Sequence, residues 1–103
     1  MSHLVTPAQF AHALTAGKTL VIDVRPRPNA RPIVAGRYWH ISRNALVRMG
    51  ELAQASGEKL LVVDEAARAT RDVAILRKAG LTDFAVLKGG AANYRAVMRM
   101  GTY

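Results

Sequence analysis

Three short runs, "TLVIDV" (19–24), "KLLVV" (59–63) and "DFAVL" (83–87), are apolar at nearly every position instead of every second one. A strand with one wet face alternates, so these runs predict strands covered on both sides, as in a parallel sheet between layers of helix. The segments between them change to helical spacing. "TPAQFAHALTAG" reads as a helix, with Thr6 as N-cap, Pro7 at the first helical position, Gln9 completing a capping box and Gly17 as the stop. "YWHIS" reads as a short strand. "SRNALVRMGELAQASG" reads as a helix from about Arg43 to Ala55, with Ser42 placed to cap it and Gly57 beyond its end. After "KLLVV" a helix is predicted from about Glu65 to Ala79. Its apolar side collects Ala66, Ala69, Val73 and Leu76, Arg77 and Lys78 suit the dipole of its last turn, and Gly80 ends it. "KGG" then turns the chain into a last helix, from about Ala91 to Met100.

Strands that alternate with helices in this way imply a small three-layer α/β domain, with a mostly parallel central sheet and helices on both faces. At 103 residues the chain is expected to be a single domain spanning 1–103. Ile22, Leu61, Val63, Val73, Leu76 and Val86 are expected to form one core.

The chain has no cysteine, which excludes disulfides, thiolate catalysis and cysteine metal sites together. His3, His12 and His40 show no metal-ligand spacing, so neither metal nor cofactor is expected. No apolar run approaches the ~18 residues of a membrane span, and "MSHLVTPAQF" lacks the basic-then-apolar order of a secretory signal. No membrane association and a cytoplasmic location are therefore expected.

The net charge of +8 is unevenly spread. Between Asp23 and Glu51 there is no acid but six arginines, Arg25, Arg27, Arg31, Arg37, Arg43 and Arg48. Part of this stretch, "RPRPNARP", holds three prolines and is read as a stiff basic surface loop. Such a patch concentrates anions, whether nucleic acid, acidic protein or small anion. Tyr38 and Trp39 stand beside it, either as core residues or as rings on which bases stack.

Several of these segments together resemble a rhodanese domain. "LVIDVR", "AGRYWHIS", the strand–turn–helix "LLVVDEAARATRDVAILRKAGL" and the ending "DFAVLKGGAANYRA" follow that family's order and spacing across nearly the whole chain. Asp23 and Arg25 match its D-V-R motif, whose role in the family is mainly structural, and Tyr94 stands where the family often has tryptophan. The resemblance implies the fold and an ancestral partner surface. It does not carry the activity over. Family enzymes hold sulfur as a persulfide on a cysteine that opens a loop of the form C-x-x-x-x-R-[ST], stabilised by backbone N–H groups at a helix N-terminus. Here that loop is about one residue short, and the cysteine position falls on Val63, Asp64 or Glu65. Arg68 and Thr70 stand as remnants of the arginine and the hydroxyl.

This degenerate loop (Asp64, Glu65, Arg68, Thr70) predicts no catalytic residue. Asp64 is expected to N-cap a helix beginning at Glu65, its carboxylate reaching the N–H of residue 66 or 67. The leading expectation is an inactive rhodanese-like binding or regulatory module with an unidentified protein or anionic partner. Arg25, Arg27, Arg31, Arg37, Tyr38, Trp39 and Arg68 are the candidate anion- or partner-binding residues. One alternative is a binder of RNA or of an acidic partner through the Arg25–Arg48 stretch, with Tyr38 and Trp39 available to stack on bases. Another is an enzyme acting on a phosphate or sulfate anion at the 64–70 loop.

Overall fold

Thr6 opens the first helix as its neighbours dictate: its Oγ1 accepts the Gln9 N–H at 3.2 Å, and Gln9 Oε1 accepts the Thr6 N–H at 2.8 Å. These reciprocal bonds satisfy two of the donors that every helix start leaves without an internal partner. The computed structural model describes residues 3–26 and 38–100. In chain order these form β1 (Leu4–Val5), α1 (Pro7–Thr15), β2 (Thr19–Asp23), β3 (Tyr38–His40), α2 (Leu46–Ala55), β4 (Lys59–Val63), α3 (Ala69–Lys78), β5 (Phe84–Leu87) and α4 (Gly90–Met100). Short 3₁₀ turns, Arg43–Ala45 and Ala66–Arg68, lead into α2 and α3.

The five strands make one sheet in the order β1-β5-β4-β2-β3, and every pairing is parallel. Helices cover both faces, which gives the three-layer α/β arrangement that the apolar runs predict. β4 is central, with Leu60–Val63 buried throughout. Its position explains why its sequence shows no polar alternation.

The core is two-sided, which corrects the expectation of a single cluster. Ile22, Val62, Val73, Leu76 and Val86 pack with Leu46 and Ala53 under α2 and α3. Leu61 and Val63 lie on the other face, with Phe10, Leu87 and Tyr94 under α1 and α4. Successive strand side chains point to opposite faces, so residues 61 and 63 cannot share a layer with 60 and 62. Tyr94 meets Phe10 edge-on at 5.6 Å and ties α4 to α1. Ala66 is exposed, so the buried stripe of α3 starts at Ala69.

β1 has no counterpart in the sequence reading. Two residues are too few for a periodic signal, and pairing with β5 creates this strand, Leu4 opposite Val86 and Val5 opposite Leu87. The His3 ring stacks on Phe84 at 3.9 Å and anchors the strand's start.

Candidate functional site

Because all five strands run the same way, their carboxyl ends share one edge, the edge at which α/β folds bind ligands. β2 delivers Asp23 there, β4 leads to Asp64, and β5 leads to Gly89 and Gly90. Asp23 and Asp64 are fully buried, and each is met by an arginine.

At the end of β2, Asp23 Oδ1 accepts the Arg25 backbone N–H at 3.0 Å. Arg25 Nε lies 2.9 Å from each carboxylate oxygen, and Arg25 Nη2 is 2.5 Å from Oδ2. The Tyr38 hydroxyl, arriving from β3, also donates to Oδ2. Burial on its own would raise the Asp23 pKa. The bonds from Arg25 and Tyr38 outweigh it and hold the carboxyl below its ordinary value. Burial and the neighbouring carboxylate push the Tyr38 phenol up to about 12. His40 closes the group by donating from Nε2 to the Arg25 carbonyl at 2.9 Å. This cluster ties β3 to β2 and leaves the Arg25 side chain 11% exposed.

At the end of β4, Asp64 turns inward. Its Oδ1 accepts the N–H of Glu65 at 2.7 Å, and its Oδ2 accepts from Arg43 Nη2. The expected cap therefore does not form: the carboxylate reaches residue 65, not residue 66 or 67. Nor does the α-helix begin at Glu65. Residues 66–68 make a 3₁₀ turn, with Arg68 N–H on the Glu65 carbonyl at 3.0 Å, and the α-helix starts at Ala69. The physical reason lies in Arg43. A buried carboxylate is stabilised far more by a guanidinium than by neutral amide donors, so Asp64 faces the arginine.

Behind this pair stands Asp72 on α3, fully buried. Arg43 Nε lies 4.0 Å from Asp72 Oδ1, beyond hydrogen-bond range, and neither Asp72 oxygen has a donor. Burial raises the Asp72 pKa to about 8, reinforced by the neighbouring Asp64 and only partly offset by Arg43 and Arg68.

The backbone of the turn is closed from its other side. Gly90 has φ +74°, and a Cβ there would lie 2.5 Å from the Ala66 nitrogen and 2.9 Å from the Asp64 carbonyl oxygen. Ala91 N–H donates to that same carbonyl at 3.2 Å. Only glycine lets α4 approach the turn so closely.

The remaining candidate residues are dispersed. Glu65 and Arg68 point outward and face each other at 3.8 Å, with about half of each side chain exposed, and Thr70 is exposed in the first turn of α3. Trp39 is 57% exposed. Arg27, Arg31 and Arg37 lie outside the described residues. Arg43 and Asp72 are the two site residues that sequence reasoning misses. In the sequence Arg43 reads only as part of a basic surface. Asp72 does leave a signal: it sits three residues after Ala69 and four before Leu76, an acid placed on an apolar stripe.

Among the described residues no helix is long and apolar enough to cross a membrane, and no three metal-ligating side chains converge. No protein-family model and no curated protein matches the chain by sequence. The fold does have a solved counterpart, the rhodanese-like domain of an Anabaena protein determined by NMR in solution. The two agree with a TM-score of 0.68 at 22% identity, over 94% of this chain and 76% of that one.

Proposed function

We propose that this chain, which has the fold of a rhodanese-like domain, is a binding or regulatory module that transfers no sulfur. The observation that carries this reading is Asp64. It occupies the middle of the three positions where the family resemblance places the sulfur-bearing cysteine, and it is fully buried and clamped by Arg43. A carboxylate forms no persulfide, and the chain has no cysteine anywhere to replace it. A protein that keeps the scaffold while its reactive position is spent on an internal ion pair acts through its surfaces.

The test is sulfur transfer from thiosulfate to cyanide by the purified chain. No thiocyanate above the protein-free rate is expected. Turnover that follows the protein through successive purification steps would refute the proposal.

The second reading, an RNA or acidic partner bound through the Arg25–Arg48 stretch, is favoured by the exposed Trp39. Aromatic anchors and arginine are enriched where partners bind. Against it, Arg25 and Arg43 are drawn inward by Asp23 and Asp64, so their charge is matched inside the fold. The reading then depends on Arg48, Arg27, Arg31 and Arg37. Salt-dependent binding of a single-stranded polyanion that weakens when these four are neutralised would support it. The phosphate or sulfate enzyme is the weakest reading, because its nucleophile Asp64 is buried and Glu65 places a negative charge at the mouth of the turn.

A further inference from the structure

Two carboxyl groups and one guanidinium share the interior beneath the 64–68 turn. Asp64 and Asp72 are fully buried, whereas the Arg43 side chain is 22% exposed. Two buried negative charges against one positive charge leave an uncompensated charge, which burial makes costly. Among the described residues the charged groups acting on Asp72 are Asp64 from the end of β4, Arg43 from the turn before α2, and Arg68 from the turn before α3. Arg68 is already opposed by Glu65 at the surface. The local charges balance when one carboxyl is neutral.

We infer that Asp64 and Asp72 hold one proton between them, carried by Asp72, and that its loss loosens the 64–68 turn and the start of α3 from the carboxyl end of the sheet. The geometry decides which acid carries the proton. Asp64 is already supplied with donors, Arg43 on one oxygen and the Glu65 N–H on the other. Asp72 has no donor on either oxygen. Once protonated, its O–H becomes a donor, and Asp64 is the acceptor beside it. The rise of the Asp72 pKa to about 8 agrees with this assignment.

The structural consequence follows from where the two acids sit. Asp64 is fixed to the sheet through β4, and Asp72 to α3. A proton between them is a contact between strand and helix, and its removal leaves two like charges pressed together in a dry interior. Relief comes from lifting the first turn of α3, because β4 is held by strands on both sides. The turn at the carboxyl edge thus carries a proton-controlled latch, closed near neutral pH and released in mild alkali. This inference does not depend on whether the chain binds a partner or transfers sulfur.

The test combines a carboxyl-carbon NMR titration of the intact protein from pH 4 to pH 10 with amide hydrogen exchange of residues 66–72. Exchange in the wild type and in Asp72→Asn is compared at matched pH, so that intrinsic base catalysis cancels. The Asp72 carboxyl is expected to titrate near pH 8, several pH units above the ~3.9 of an ordinary aspartate. At pH 9 to 10 the wild-type amides are expected to exchange ~10-fold or more faster than those of the variant, while at pH 6 the two proteins exchange alike. An Asp72 signal that titrates with the surface carboxylates would overturn the shared proton. Equal exchange at both pH values would overturn the latch. Should Asp72→Asn fail to fold, the α1 amides of the wild type serve as the internal reference, and 66–72 protection that stays constant against them across the titration overturns the latch equally.

Discussion

Arg43, in the turn before α2, donates to the carboxylate of Asp64, twenty-one positions further along the chain and immediately after β4. The contact joins the layer of α2 to the centre of the sheet at the edge where ligands of α/β proteins bind. It also fills that part of the edge from within.

Removing the guanidinium should be costly. Arg43→Met keeps most of the side-chain volume and strands Asp64 as a buried carboxylate beside Asp72. A loss of ~3 kcal/mol or more is expected by urea denaturation at neutral pH. Adding Asp64→Asn to Arg43→Met should recover part of it, because no unpaired charge then remains. A single variant as stable as the wild type would mean that the pair contributes nothing to the fold.

Gly90 should tolerate no side chain. Its φ is +74°, and a methyl group at this position would meet the Ala66 nitrogen at 2.5 Å, which leaves no room for alanine. Gly90→Ala is expected to lower stability by ~2–4 kcal/mol, combining backbone strain with displacement of the 64–66 turn. Gly17 has positive φ but nothing within 4 Å of an added Cβ, so Gly17→Ala should cost only the strain, ~1 kcal/mol.

The Asp23 cluster should show itself in acid. Its folded pKa lies below the ordinary aspartate value, so its stabilisation is complete above about pH 4 and disappears as pH falls through the lowered folded value. Tyr38→Phe removes one of the bonds that hold the pKa down. At neutral pH the variant should be less stable by ~1–2 kcal/mol. The deficit should shrink as acid protonates Asp23 in both proteins. Parallel stability curves down to pH 2 would show that Tyr38 does not act through this carboxylate.

The fold is largely legible in the sequence because its strongest signals are local. The apolar runs at 19–24, 59–63 and 83–87 contain β2, β4 and β5, and the Thr6–Gln9 capping box places α1. What escapes depends on partners distant in sequence. β1 is a strand because β5 pairs with it, and the two rows of β4 separate only when the alternation of a strand is applied to a run apolar throughout. The candidate site is half legible. The family resemblance directs attention to Asp64, but capping logic weighs only the nearest amides and overlooks an arginine that folding brings from another layer. Asp72 is partly legible, since its place on the apolar stripe of α3 marks it as an inward-facing acid, but the carboxylate and guanidinium it meets there come from other elements.

Anion binding at the 64–68 turn separates a junction closed by Asp64 and Arg43 from an open one. Sulfate and phosphate are titrated into the protein while the amide signals of residues 64–68, 90 and 91 are followed, and crystals are soaked in the same anions. Asp64 already holds the Arg43 guanidinium and the Glu65 N–H, so these signals should stay in place and the turn should show no bound anion. Saturable shifts of those amides, with anion density at the turn and Arg43 released from Asp64, would show that the ion pair does not close the junction and would restore it as an open binding site.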